Sequence, residues 1–158
     1  NVLGVIKKGK RHVVYYAHHL RNLETLIHST IISMQFISTS DAPTPAGHYS
    51  QAVVSGNFIF VSGQLPIKPG SKPESPGPIA EQTRQVLTNL KNILEAAGSG
   101  LAHVVKTTIY ISDISMWGDV NGVYAEFFGD HKPARAVVPT RELHFDYQIE
   151  MEAIALKP

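Results

Sequence analysis

The spacing of apolar residues divides the chain at Met34. Before it, apolar side chains recur every three or four residues, which predicts an amphipathic helix. The members of this stripe are Val13, Tyr16, Ala17, Leu20, Leu23, Ile27 and Ile31. After Met34, short β-rich runs alternate with a helical pattern. The sequence therefore predicts a helical extension over residues 1–33 and one domain over residues 34–158.

Several segments of the domain have the composition of strands. "MQFIST" and "HVVKTTIYIS" are rich in β-branched and aromatic residues, and "SQAVVSGNFIFVSG" contains two such runs about Gly56-Asn57. Two residues of this type between β-rich runs predict a tight hairpin. Two further strands are predicted near residues 134–140 and 148–156, after the surface loop "KPGSKPESPGP" and the helical segments.

Two segments have helical spacing. Apolar residues from Ile79 to Ala97 predict a helix with Gly98 as its C-terminal cap. Ser115 is predicted to cap a second helix, whose apolar side holds Val120, Val123, Tyr124, Phe127 and Phe128. The fold class is therefore α+β, with one mixed sheet and two helices on one face. The other face is also apolar, so we expect another subunit to cover it.

Composition narrows the class of protein. The chain has 158 residues, 43% apolar and 17% charged, as expected for one globular domain. It has no cysteine, which excludes disulfides, thiolate metal ligands and a cysteine nucleophile, and fits a cytoplasmic location. No apolar run approaches the length of a membrane span.

Charge is distributed unevenly. Residues 1–33 hold five basic and one acidic side chain, net +4, whereas residues 34–158 hold nine and twelve, net −3. An acidic domain argues against binding to a nucleic-acid backbone, because such binding needs clustered Lys and Arg. The basic extension has three interpretations: a targeting peptide, sequence translated ahead of a true start at Met34, or a functional extension.

Charged residues also occur inside the predicted C-terminal strands. Alternation places Glu150 and Glu152 with Gln148 on one side of the last strand, and Arg135 begins the strand before it. The carboxylates could face water, or Arg135 and a glutamate could form a structural ion pair. Alternatively, Arg135 could anchor an anionic substrate beside a general base. The spacing of these residues along the chain does not distinguish the three interpretations.

Other catalytic patterns are missing from the sequence. His18 and His19 are adjacent, and no HExxH spacing follows, so no metal site is expected. Ser50 and Ser62 lack a nucleophile-elbow motif. The glycine-rich loop lacks the Lys-Ser/Thr ending of a phosphate-binding loop.

From Met34 to Pro158 the sequence resembles the RidA (YjgF-type) family of reactive-intermediate imine deaminases. The matching stretches are "GHYSQAV", "FIFVSGQLPI", "EQTRQVLTNLKNILEAAG", "VVKTTIYISD", "VNGVYAEFF", "PARAVV" and "IEMEAIA". The resemblance implies a chorismate-mutase-like fold and a homotrimer whose sheets enclose a central barrel. Residues 1–33 match nothing in that family.

The resemblance also implies roles for individual residues. Arg135 matches the arginine that binds the substrate carboxylate, and Glu150 matches the glutamate that orients water. Residues matching a cleft between subunits are Tyr49, Ser62 and Asn121. Val137 departs from the family, because many members have Cys there, and the family pattern suggests that this position acts through its backbone. His144 lies near a position where many members have Pro.

The implied activity is hydrolysis of 2-iminobutanoate, 2-iminopropanoate and related 2-imino acids to 2-keto acids and ammonia, without a cofactor. Two alternatives belong to other functional classes. One is an endoribonuclease or translation inhibitor, and the other is a ligand-binding trimer without turnover.

Overall fold

The computed structural model describes residues 3–8, 11–16 and 34–158, and the chain divides into two units between Ser33 and Met34. In the first unit, β1 (Leu3–Lys8) pairs antiparallel with β2 (Arg11–Tyr16). The prediction of a helix is therefore wrong at Val13 and Tyr16. The run "VVYY" is β-branched and aromatic, and this preference for a strand prevails over helical spacing. The rest of the predicted stripe lies outside the described residues.

The second unit is built on a six-stranded sheet in the order β3-β4-β5-β8-β6-β7. Neighbouring strands are antiparallel except β6 and β7, which are parallel. The strands are β3 (Met34–Ile37), β4 (Ala52–Ser55), β5 (Phe58–Gln64), β6 (Val104–Ile111), β7 (Ala134–Pro139) and β8 (Ile149–Leu156). Helices α1 (Ile79–Ala96) and α2 (Trp117–Phe128) complete the predicted α+β fold.

The turns follow the local sequence with one exception. Ser55 pairs with Phe58 across the predicted two-residue hairpin, and Gly56 has a φ of 57°. Gly98, with a φ of 78°, ends α1 as predicted. The prediction for Ser115 is wrong: the Asp113 side chain accepts a hydrogen bond of 2.8 Å from the Ser115 backbone N–H, ahead of a short 3-10 turn. A carboxylate is also a good cap, and this one precedes the turn.

The core lies between the sheet and the two helices. Along β8, Ile149, Met151, Ala153 and Ala155 are buried, and the residues between them are more exposed. This alternation is the one predicted for the strand, although Gln148 lies before it and accepts a hydrogen bond from Gln82 of α1. The helices contribute Val86, Leu87, Leu90, Ile93, Leu94, Val120, Val123, Tyr124 and Phe128. No helix in the described residues is long and apolar enough to cross a membrane.

The face of the sheet away from the helices is partly apolar. One row of paired residues crosses it from Phe36 through Val53 and Phe60 to Ile154. Phe36 and Phe60 are 66% and 46% exposed, although aromatic side chains of this size are normally well buried. An exposed apolar surface of this kind is typical of an interface with another protein.

We predict that this face associates with further copies of the chain to give a homotrimer. Light scattering should then give the mass of three chains at micromolar concentration. Phe60→Lys should lower the mass, because the row would have to bury an unpaired ammonium group. A wild-type protein that stays monomeric would contradict the prediction.

Candidate active site

A cavity of about 510 Å³ lies beside the loop that precedes β4. Three of the predicted site residues line it: Tyr49 before β4, Ser62 in β5 and Glu150 in β8. His144 and Phe145, which precede β8, also line it. The cavity therefore combines a carboxylate and an imidazole with the hydroxyl groups of Tyr49, Ser62 and Thr44.

A β-bulge shapes the floor of this cavity. Val61 pairs with Ala153 and Gln64 with Met151, so β5 contains one more residue than β8 between these pairs. The extra length falls at Ser62 and Gly63. The Ser62 hydroxyl donates a 2.7 Å hydrogen bond to the Ser50 carbonyl oxygen, which fixes its orientation.

Gly63 leaves space for the Glu150 carboxylate. A Cβ atom at position 63 would collide with Oε1 of Glu150 and lie 3.0 Å from its Cδ. Position 63 therefore excludes every side chain while Glu150 keeps its orientation. This role was not predicted from the sequence. The glycine in "FVSGQ" lies inside a strand pattern, and a glycine in that position indicates a bulge or a close approach.

A buried glutamine supports the loop that forms another wall. Gln51 is 2% exposed. Its Oε1 accepts a 2.7 Å hydrogen bond from the Thr39 backbone N–H, and its Nε2 donates to the carbonyl oxygens of Thr39 at 3.0 Å and Pro43 at 2.9 Å. The Gln51 side chain thereby supplies hydrogen bonds to backbone groups of the loop that would otherwise be satisfied by a neighbouring strand. At the other end of the loop, the Tyr49 hydroxyl accepts a hydrogen bond from the Ala46 N–H at 3.3 Å.

Burial raises the pKa of Glu150 above its usual range. The negative charge of Glu152 raises the pKa further, whereas nearby His144 lowers it. Desolvation raises the pKa of the neighbouring Tyr110, and the negative charges of Glu152 and Glu150 raise it further. A carboxyl group with a raised pKa is better suited to accept and return a proton near neutral pH.

Arg135 lies in a second cluster, at the edge strand β7. Its Nη2 donates a 2.9 Å hydrogen bond to Oδ1 of Asn121, and its guanidinium lies 4.6 Å from the centre of the Tyr124 ring. The Tyr124 hydroxyl is itself 3.0 Å from the Thr107 hydroxyl. Among the described residues, Arg135 has no carboxylate within salt-bridge distance.

The two clusters lie on opposite faces of the sheet. Arg135 pairs with Thr107, which is fully buried on the helix side. Glu150 pairs with Tyr110 on the other side, and β6 separates β7 from β8. A structural ion pair between Arg135 and Glu150 of one chain is therefore contradicted. Within one chain, Tyr49, Ser62 and Glu150 come together, and Arg135 and Asn121 form a separate group.

Val137 lies two residues after Arg135, with its side chain packed against the core. Only its backbone is therefore suited to a role in a site. Within the described part of the chain, no group of three or more His, Asp or Glu side chains is arranged to hold a metal ion.

The chain matches a family of known proteins. The family model described as endoribonuclease L-PSP matches residues 39–157. The chain belongs to this family. A RutC family protein from Pyrococcus horikoshii is 50% identical over 123 residues, covering 78% of this chain and 98% of the relative. The sequence-based recognition of a RidA (YjgF-type) protein is confirmed.

A relative with a named activity and a solved structure are also similar to the chain. The Escherichia coli K12 protein named 2-iminobutanoate/2-iminopropanoate deaminase is 43% identical over 124 residues, covering 77% of this chain and 96% of the relative. The crystal structure of the E. coli YjgF gene product has a TM-score of 0.74 at 42% identity, covering 78% of this chain and 99% of that one. The YjgF-type fold is thereby confirmed.

We predict that Gly63→Ala displaces the Glu150 carboxylate and lowers the free energy of unfolding by about 1 kcal/mol, at the lower end of the cost of overpacking, because the clash is with the end of a flexible side chain. The control is Gly100→Ala, since Gly100 is extended and no atom lies within 4 Å of a Cβ placed there. Glu150→Ala should remove most of the cost of Gly63→Ala, and urea unfolding of the four proteins measures this coupling. Additive effects of the two changes would contradict the close contact.

The raised pKa of Glu150 predicts a pH-dependent difference between the wild type and Glu150→Gln. Below the usual glutamate pKa of about 4.3, Glu150 is protonated in both the folded and the unfolded wild type. Its ionisation then does not lower the free energy of unfolding. As pH rises through the raised folded-state pKa, the wild type should lose stability relative to the Gln variant. Thermal unfolding across this pH range measures the difference, and a wild type that gains stability relative to Glu150→Gln as pH rises would refute the assignment.

Proposed function

We propose that the chain hydrolyses 2-imino acids to 2-keto acids and ammonia. The observation that carries the proposal is the Arg135 guanidinium, which is held in place without a carboxylate partner in the described residues. A guanidinium stays charged at any physiological pH, and its planar fork matches a carboxylate. Arg135 thus has the charge and geometry to bind the substrate carboxylate.

The neighbours of Arg135 orient it without neutralising it. Asn121 is an uncharged acceptor, and the Tyr124 ring attracts the cation through its face. Both therefore leave the full positive charge for a ligand. Asn121 is a positioning residue in this proposal rather than a group that reacts.

Glu150 is the proposed proton-transfer group. Its carboxylate accepts a proton from water as the water oxygen adds to the C=N carbon of the substrate. The proton then passes to the nitrogen and gives a carbinolamine. Glu150 next takes the proton of the new hydroxyl group and returns it to the nitrogen, so that both proton transfers run through one carboxylate. The C–N bond breaks and ammonia leaves as the C=O bond forms. The raised pKa of Glu150 suits both proton transfers. Positioning supplies the rest of the rate, because the substrate also hydrolyses unaided.

The hydroxyl groups of Ser62 and Tyr49 have different hydrogen-bonding capacities. The Ser62 proton is donated to the Ser50 carbonyl oxygen, so Ser62 offers a substrate its lone pairs and is not an activated nucleophile. The Tyr49 hydroxyl accepts from a backbone N–H and keeps its own proton for donation. Water is thus the better nucleophile in this cavity.

The proposed site is shared between two copies of the chain. Arg135 and Glu150 face opposite sides of one sheet, so one copy cannot apply both to one small substrate. A neighbouring copy in a trimer supplies the missing half, as the resemblance to the RidA family implies. The endoribonuclease alternative receives less support, because the domain is net acidic.

We predict that Arg135→Ala and Glu150→Gln each abolish most imine hydrolysis, and that mixing them restores part of it. If trimers form randomly from equal amounts, about a quarter of the interfaces join an intact Arg135 to an intact Glu150. Unfolding and refolding the two variants together, then measuring hydrolysis, tests this. Mixtures with no more activity than the separate variants would contradict a shared site.

Two controls separate chemistry from stability. Glu152→Gln should retain more turnover than Glu150→Gln, since Glu152 is on the same strand and does not line the cavity. Arg135→Lys keeps the charge but loses the fork, so its KM should rise. A labelled RNA incubated with the same proteins tests the alternative. Loss of RNA cleavage and of hydrolysis together in Arg135→Ala would favour a nuclease at this site.

A further inference from the structure

Two consecutive residues, the first of which lines the cavity, have the left-handed backbone conformation. Phe145 has a φ of 62° and Asp146 a φ of 58°. A bulky side chain is an outlier in this region, at a cost of about 1–3 kcal/mol per residue. Such strain persists only where the surrounding structure imposes it, and it concentrates at ligand-binding sites.

The strained turn places two neighbouring side chains on one side. His144 and Phe145 both line the cavity, whereas adjacent side chains of a strand point to opposite faces. The two rings lie 6.1 Å apart between centroids. The turn thus adds an aromatic ring to a wall that already contains Glu150.

The Phe145 ring is supported from behind. It meets the Tyr147 ring edge-on at 6.3 Å, and Tyr147 is 4% exposed. The Tyr147 hydroxyl accepts a 3.1 Å hydrogen bond from the Glu74 backbone N–H, which fixes its position. Phe145 itself remains 51% exposed. Its free surface is therefore a preorganised apolar wall.

Part of the remaining lining is also apolar. Pro43, Pro45, Leu65 and Ile67 also line the cavity. Its volume of about 510 Å³ falls in the range of about 300–1,000 Å³ typical of pockets for drug-sized ligands. A substrate whose side chain is one methyl group would leave most of this apolar surface without contact.

We propose that Phe145 determines specificity, with its ring contacting the substrate side chain, so that the chain prefers 2-imino acids with large apolar or aromatic side chains to 2-iminopropanoate. This inference rests on the proposed hydrolysis and names the substrate class of the same site. Buried apolar contact with a ring favours the larger side chain, and a hydrophobic pocket discriminates by about 10–200-fold per missing methylene at most.

An amino-acid oxidase acting on D-phenylalanine or D-alanine supplies the two imino acids in the same assay, since both products lack the chiral centre. We expect the wild type to show kcat/KM at least about tenfold higher for the phenyl substrate. Phe145→Gly should reduce that ratio about tenfold, because it removes the ring. Asp146→Gly relaxes the same turn and keeps the ring, so its ratio should match that of the wild type.

Phe145→Leu is a second variant in case Phe145→Gly does not fold, and its ratio should lie between those of the wild type and Phe145→Gly. Equal kcat/KM for both substrates, or an unchanged ratio in both Phe145 variants, would overturn this inference and leave the proposed hydrolysis standing. No acceleration of either substrate would overturn both. If Asp146→Gly lowered the ratio of the two kcat/KM values as much as Phe145→Gly does, the effect would belong to the turn, and a role for the ring would be refuted.

Discussion

The position of β8 between β5 and β6 determines how the functional groups are distributed. Because strand side chains alternate, burying Ile149 and Met151 under the helices forces Glu150 and Glu152 to the other face. The parallel pairing of β6 with β7 then fixes Arg135 on the helix side, next to Thr107. A shift of one residue in either strand would reverse these positions and expose the core. Packing thus separates the cation and the carboxylate of the proposed reaction.

This separation explains how the charges are tolerated. Arg135 has a neutral hydrogen-bond partner and an aromatic face, so its charge is supported without being neutralised. Glu150 lies against the backbone at Gly63, half-buried, in a position that favours its protonated form. An ion pair between Arg135 and Glu150 within one chain would neutralise both charges, and neither group would then be available to a substrate.

Much of the fold could be predicted from local sequence. The Gly56-Asn57 hairpin, α1 with Gly98 at its end, and the alternation in β8 each depend on residues close in the chain. The predictions from sequence were wrong where contacts with distant residues, or competing local contacts, determine the secondary structure. "VVYY" belongs to a strand with a partner, and the helix after Ser115 is preceded by a 3-10 turn that Asp113 caps.

The candidate site was less predictable than the fold. Motif resemblance named Arg135 and Glu150, but their opposite faces depend on the order and register of three strands. The close approach at Gly63 depends on a bulge, and the left-handed turn at Phe145 has no glycine to signal it. Spacing along the chain contains none of this information.

The opposite placement of Arg135 and Glu150 has a consequence for how the proposed enzyme responds to dilution. If each site needs two copies, the number of sites follows the association equilibrium rather than the number of chains. Specific activity would then fall as the protein is diluted below the concentration at which its copies associate. A substrate that bridges the two copies would oppose this loss, because it binds only the assembled form and stabilises it by mass action.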